Sequence, residues 1–416
     1  MSRRQGGGFW SLWSATTISG LGDGIRITAF AVFAATLSRD PLKVSLVTVA
    51  SYLPWLLVGP FTGTLVDRLD RRRTLWICDA LRALMLAGFA IAIVAGQVGI
   101  LVLAAVAFLL TSVETLADNL SQALTPNLTG DRSLTSANTW LQGGQFVTTE
   151  FCGAPVGAAL LVIAHTLPFV IDAVSFAVSA ALIFSLRVPG TRPAAPPLRL
   201  RALGTETLEG IRWLCRHRVL RTICLLIGLG GMAAAGALAI AVLYSLEVLH
   251  VSRTTYGLLM VVIAAGGLLG LIVAPRATAV LGNGRTLQLA FALRPLAFLI
   301  GALTSNALVA ALGFVLVGAS ISLGNVVTTT LRQTLIPAEL FGRVNGAYRL
   351  VVSGMAPFGG LLGGALAGGF GLRAPFFFGA ALSMATAVAA LGLLSNRVVM
   401  PLLADAPGRT AGSGVH

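Results

Sequence analysis

Arg73-Thr-Leu-Trp-Ile-Cys-Asp-Ala-Leu-Arg82 opens one apolar run of this chain, and Arg285-Thr-Leu-Gln-Leu-Ala-Phe-Ala-Leu-Arg294 opens another, 212 residues further on. The Arg-Thr-Leu and Ala-Leu-Arg elements recur at that same offset. The apolar run that follows each one also ends alike, with Gln122-Ala-Leu-Thr-Pro126 in the first half and Gln333-Thr-Leu-Ile-Pro337 in the second, at an offset of 211. Pro155 and Pro357 continue the correspondence after a shorter loop. Two copies of one unit in the same orientation are implied. In an apolar chain, parallel repeats predict a substrate site near the bilayer midplane between the halves, about which the halves rock.

The composition supplies the solvent. Of 416 residues, 56% are apolar and 11% charged, and the mean hydropathy is +0.88. A soluble domain carries about 25% charged residues. The apolar residues fall in runs of about 20, the length that crosses a hydrocarbon core. The runs predict spans near 9–37, 42–66, 74–96, 99–124, 137–164 and 167–187, then near 219–247, 254–276, 285–304, 307–331, 342–368 and 374–396. The fold class is therefore an all-α polytopic membrane protein, with twelve transmembrane helices as two parallel six-helix repeats. The domains are an amino-terminal bundle (1–187), a cytoplasmic linker (188–218), a carboxy-terminal bundle (219–400) and a disordered cytoplasmic tail (401–416). The linker opens with Pro189, Pro193, Pro196 and Pro197. It continues as Leu203–Arg218, where Leu208, Ile211 and Leu214 recur at helical spacing between arginines. That pattern predicts an amphipathic helix on the cytoplasmic membrane face.

The net charge of +14 sits in the polar breaks on one side of the predicted topology. The cytoplasmic loops and tails hold 22 Arg or Lys residues, and the external turns hold four: Arg39, Lys43, Arg253 and Arg373. The positive-inside rule then places both termini in the cytoplasm and accounts for the charge without a nucleic-acid partner. Cys78, Cys152, Cys215 and Cys224 show no CxxC or metal-ligand spacing, and the four histidines do not cluster. The first apolar run is longer than a signal-peptide core, so it reads as a span.

Between the second and third spans runs Gly63-Thr-Leu-Val-Asp67-Arg68-Leu-Asp70-Arg71-Arg72-Arg73. This resembles the signature loop of the major facilitator superfamily, G-x-x-x-D-R-x-G-R-R/K, with Gly63, Asp67, Arg68, Arg71 and Arg72 in place and Asp70 where the glycine stands. The resemblance implies the major facilitator fold and a cytoplasmic gate at Gly63, Asp67, Arg68, Arg71 and Arg72, joined by Asp79 and Arg82 of the third span. A carboxylate among guanidinium groups can make charge-assisted bonds that break and re-form as the halves move. A plain topogenic arginine cluster is the other reading, and for Arg73 it is the better one. Gly144, Gly153, Pro155 and Gly157 in the fifth span are similar to the glycine–proline motif of the superfamily's exporters, without its contiguous Gly-Pro; small-residue helix packing serves them equally well. Three further stretches, Phe9 to Asp23, Glu209 to Arg221 and Arg332 to Asn345, are similar to the bacterial drug-efflux branch that includes macrolide and enterobactin exporters. That resemblance implies proton-driven export.

An ionisable group in mid-bilayer costs about 2.5–3.5 kcal/mol even on the lenient insertion scale, so each one calls for a reason. Asp23 and Arg26 in the first span, Glu114 and Asp118 in the fourth and Glu150 in the fifth are the candidates for proton coupling. Asp23 and Arg26, three residues apart, form either a pair whose partners change with conformation or a static ion pair. Glu114 and Asp118 share one helix face, and two close carboxylates cannot both ionise cheaply. Asp172, near the start of the sixth span, reads as structural. In the second half no acid sits in mid-span. Its cavity face offers Met232, Tyr244, Met260, Asn325, Thr328, Tyr348 and Met355, a soft lining suited to amphiphiles, though each residue alone can equally be packing.

The function expected is a proton-coupled antiporter exporting a small amphiphilic or cationic compound, such as a drug, siderophore or secondary metabolite, by alternating access. A lipid or lysolipid flippase of the same fold is the alternative, and a non-transporting sensor or scaffold is a third reading. The sequence carries no Walker motif, nucleophile–base pair or metal-ligand cluster, so an enzyme is not expected, nor any cofactor or metal. The expected partners are a small-molecule substrate, protons and the lipid bilayer of a bacterial inner membrane, with the chain a monomer.

Overall fold

The computed structural model describes residues 2–66, 68–129, 134–186, 200–396 and 398. Eleven helices among them are long and apolar enough to cross a membrane. One of these, α12 (Arg253–Leu303), has 51 residues. At 1.5 Å per residue it would measure about 76 Å, more than twice a hydrocarbon core of about 30 Å. Gly282 interrupts it, with φ 79° and ψ 164°, a conformation only glycine adopts freely. Asn396 fastens the break: its amide donates to the Leu281 carbonyl at 2.6 Å and its carbonyl accepts from the Arg285 N–H at 3.0 Å. The α12 segment is thus two spans joined by a turn, and twelve spans result.

The chain divides into two compact units, Met1–Leu198 with Val251–Val261, and Arg199–His250 with Val262–His416. The proline-rich part of the linker and the 401–416 tail lie outside the described residues.

In the first unit the spans are α1 (Ser2–Leu37), α2 with α3 (Pro41–Leu57, Gly59–Val66), α4 (Arg71–Val94), α5 (Ile100–Leu128), α6 through α7 (Leu134–Phe146, Ala154–Ile163) and α8 (Leu167–Ser185). Between α6 and α7 the helix widens to a π-turn over Val147–Gly153. Pro155 lacks the N–H that an α-helix would offer the Phe151 carbonyl, which favours the loosening there. Glycines let α1 meet the fifth span backbone to backbone. A Cβ on Gly24 would lie 2.2 Å from the Thr149 carbonyl oxygen, and one on Gly157 would lie 2.3 Å from the Ile25 carbonyl oxygen. The glycines of the fifth span therefore act in helix packing here. At one end of the unit Phe9, Leu12, Leu75, Leu120, Leu124 and Ile183 form a core. Toward the other end Phe30, Phe89 and Phe169 stack edge to face and tilted, with centroids 5.0–5.9 Å apart.

The second unit holds α9 (Leu200–Arg216), α10 with α11 (Arg218–Ala239, Ala241–Glu247), the larger part of α12, α13 (Ala307–Leu335), α14 (Phe341–Phe370) and α15 (Ala374–Leu393). Gly359 and Gly363 of α14 lie against the carbonyls of Met232 and Gly236 on α10, where a Cβ would come within 2.1 and 2.2 Å. The predicted amphipathic helix is present as α9, and it packs against α14. Gly210 abuts the Arg343 carbonyl, Leu214 is buried in the core with Leu220 and Val344, and Glu209 pairs with Arg343 at 2.7 Å.

Candidate functional site

The first unit gathers its buried charged side chains in one network. From α1, the Arg26 guanidinium donates through Nη2 to Asp23 Oδ1 at 2.5 Å and to Glu114 Oε2 of α5 at 3.0 Å, while its Nε lies 3.1 Å from Asp172 Oδ2 of α8. From α4, the Arg82 guanidinium reaches the two Asp23 oxygens at 3.2 and 3.3 Å, Asp79 Oδ1 at 3.3 Å and Glu114 Oε2 at 3.8 Å. Ser179 donates to Asp79 Oδ2 at 2.6 Å, and Ser175 donates to Asp172 Oδ1 at 3.2 Å. Asp172 is fully enclosed, and Asp23, Arg26, Asp79 and Arg82 are each at least 92% buried. Glu114 is the most accessible member, with 21% of its side chain exposed.

The network is possible because α1 offers glycine on both sides of Asp23. A Cβ on Gly22 would lie 2.1 Å from Asp172 Oδ1, so only glycine admits that carboxylate. The aromatic rings hold the guanidinium planes: Arg82 stands 3.8 Å over the Phe176 centroid and Arg26 5.7 Å over Phe30. Four carboxylates face two guanidinium groups, so ion pairing alone leaves a formal surplus of two negative charges. In a low-dielectric interior such a surplus is costly, and proton uptake is a direct way to remove it.

Several sequence expectations change at this point. Asp79 and Arg82, grouped by sequence with the gate loop, sit in the buried network instead. Asp172, read as merely structural, is a direct partner of Arg26. Its signal was present: Asp172, Ser175 and Ser179 form a polar stripe at helical spacing on an otherwise apolar span. Asp118 is half-buried one turn from Glu114, within electrostatic reach of it, and makes no ion pair among the described residues. Glu150 lies in the π-turn, exposed, and pairs with no cation among them; Tyr52 is the ring within its electrostatic reach.

In the loop before α4, Asp67 lies outside the described residues, and Gly63 is part of α3. Asp70, in place of the motif glycine, caps α4: its carboxylate accepts from the Arg73 N–H at 2.9 Å. Arg71 donates to the Ala123 carbonyl of α5 at 2.9 Å, and Arg72 donates to the Ile183 and Phe184 carbonyls at the end of α8. Both arginines thus satisfy carbonyls near helix C-termini, where the helix dipole favours a cation. Arg68 is half-buried.

The predicted cavity residues of the second unit have different surroundings. Tyr244 is fully enclosed, and its hydroxyl donates to the Gly301 carbonyl at 2.6 Å, which is a packing role. Thr328 is buried and bonds back to Gly324. Tyr348 lies under Arg332, 4.3 Å from its guanidinium. Asn325 is exposed, and Met232, Met260 and Met355 are half-buried. An apolar groove of about 930 Å³ runs between α4 and α8, bordered by Trp76, Ala80, Ala87, Ala177 and Phe184, and it holds none of the predicted site residues.

The fold agrees with what the chain resembles. It is 27% identical over 400 residues to the multidrug efflux pump Tap of Mycobacterium tuberculosis, covering 92% of this chain and 91% of that protein. It is 26% identical over 390 residues to the MFS-type transporter YfiS of Bacillus subtilis, covering 89% of each. Among solved structures, the nucleoside transporter NupG superposes with a TM-score of 0.72 at 14% identity, over 93% of this chain and 98% of that one, a likeness of fold alone. Residues 12–356 match the sequence model of the Major Facilitator Superfamily, so this multi-pass membrane chain, with its duplicated six-helix units, belongs to that family of transporters and resembles its drug-efflux branch.

Proposed function

We propose that the chain is a proton-coupled antiporter that exports a small amphiphilic compound by alternating access. The carrying observation is the Asp23–Arg26–Arg82 network, in which Asp23 is shared by two guanidinium groups at 2.5 and 3.2 Å. Protonating Asp23 would loosen both pairs at once and leave Arg26 to Asp172 and Glu114. Carboxylates that exchange partners as charge changes can link proton binding to a shift between conformations. Glu114, the most accessible member, is the entry point for the proton in this reading, and Asp118 one turn away is its relay. At a membrane potential of 100 mV one inward proton supplies about 2.3 kcal/mol, enough for a several-tenfold substrate gradient. Similarity to the Tap efflux pumps along most of the chain supports export as the direction. Both termini lie in the cytoplasm in this reading, the loop arginines act as a gate on that side, and the carrier works as a monomer.

Accumulation of ethidium, a macrolide and a carboxylate-bearing fluorescent amphiphile in a bacterial host stripped of its own pumps tests the reading. Expression should lower accumulation, and a protonophore should restore it. Unchanged accumulation of every amphiphile tried, or lowered accumulation that a protonophore does not affect, contradicts it.

A further inference from the structure

Arg294 stands 212 residues after Arg82 in the duplicated sequence, near the middle of the 283–303 segment. The two arginines have opposite surroundings. Arg82 is met by three carboxylates. At the matching places the second half has neutral side chains: Phe291 stands for Asp79 at the same offset, and Asn325 stands for Glu114 at the offset of 211 that aligns Pro126 with Pro337. Facing Arg294, α10 offers Gly230, where a Cβ would lie 2.0 Å from the Arg294 Nη1. The guanidinium therefore lies against bare backbone.

Its bonding is sparse. Nε donates to Ser320 Oγ at 3.3 Å, and Nη1 is buried with no hydrogen-bond partner among the described residues, which also supply no carboxylate to pair with it. Arg332, in the same unit, differs: it donates to Asn345 Oδ1 at 2.5 Å, to the Thr328 carbonyl at 3.3 Å and to Thr329 at 3.1 Å. A guanidinium cannot escape burial by losing its proton as a lysine can. Its planar fork of donors fits a carboxylate in two parallel bonds. The neighbour on its own helix is apolar, with the Phe291 ring centroid 5.7 Å from the guanidinium.

We propose that Arg294, with Ser320 beside it, is the recognition point for the acidic group of the transported compound, so that the substrate class is an amphiphile bearing a carboxylate. The proposal rests on the export reading for the word substrate, but the binding itself is measurable without transport.

The test is a fluorescence titration of the full chain in phosphatidylcholine nanodiscs with dansyl-undecanoate and, in parallel, its uncharged primary amide. The native chain should bind the carboxylate more tightly. Arg294→Gln should weaken the carboxylate by about tenfold or more and leave the amide unchanged. Because Arg294→Gln can also perturb folding, Gly230→Asp serves as a second variant. It sets a carboxylate beside the flexible guanidinium tip, and it should raise thermal stability while abolishing the preference for the acid. Equal affinities for acid and amide in the native chain, or an acid affinity indifferent to both substitutions, would overturn the proposal. So would displacement of the probe when phosphatidylglycerol is included in the discs, since that assigns the arginine to a lipid headgroup. Export without an Arg294 effect sinks this inference alone; acid binding without export sinks the export reading alone.

Discussion

Arg26 holds carboxylates from three different helices, so its loss leaves more than one charge stranded. Asp172, fully enclosed and ion-paired with it, has Ser175 as its only side-chain hydrogen-bond donor among the described residues. Removing one partner of a buried ion pair costs about 3–5 kcal/mol. Arg26→Gln is therefore expected to lower the thermal unfolding midpoint of the detergent-purified protein sharply, and adding Asp172→Asn should recover part of the loss. Equal stability of the single variant and the native chain would show that the network is not what holds α1 to α8. Asp23 and Arg26 were legible from sequence because charge within an apolar run is conspicuous. The polar stripe of Asp172, Ser175 and Ser179 was legible too, but its pairing with Arg26 was not, because only the Gly22 gap, a tertiary fact, brings the Asp172 carboxylate there.

At the level of elements, close helix approach and capping make separable contributions. A methyl group at Gly24 would meet the Thr149 backbone at 2.2 Å, and backbone cannot yield as a side chain can. Gly24→Ala should destabilise by about 1–3 kcal/mol through overpacking, whereas Gly231→Ala, with open space around it, should be neutral or mildly stabilising. Similar melting shifts for the two would contradict the packing account. Asp70 caps α4, and Asp70→Ala should cost about 1 kcal/mol, with Asp70→Asn largely restoring it.

The cap of α10 adds a pH dependence. His217 Nδ1 accepts from the Leu220 N–H at 3.3 Å, and burial pushes the His217 pKa below its usual value. The folded state thus favours the neutral ring, the form that can accept. The cap's contribution is present above the ordinary histidine pKa of about 6.5 and is lost as pH falls through the lowered folded value. Melting of His217→Asn should therefore be less sensitive to mild acid than that of the native chain. Span number and linker helix could be read from run length and periodicity. The packing of α9 on α14 could not, since it depends on Gly210 letting the Arg343 backbone near.

For the molecule as a whole, duplication explains both similarity and difference between the units. The repeats share Arg-Thr-Leu and Ala-Leu-Arg, yet the mid-span acids lie in the first unit, and the second keeps its arginine without them. A chain so divided can assign proton binding to the first unit and ligand recognition to the second. The offsets made the duplication visible in sequence. The unequal surroundings of Arg82 and Arg294 needed coordinates, because they turn on what faces each guanidinium across a helix interface.

Substrate-induced proton release from everted membrane vesicles, read with a pH-sensitive dye in the native chain and in Asp23→Asn, decides whether the Asp23 network couples protons to export. Adding an exported amphiphile should release protons from native vesicles and none from Asp23→Asn vesicles containing equal amounts of folded protein. Equal release from both would contradict the assignment of coupling to the Asp23–Arg26–Arg82 network.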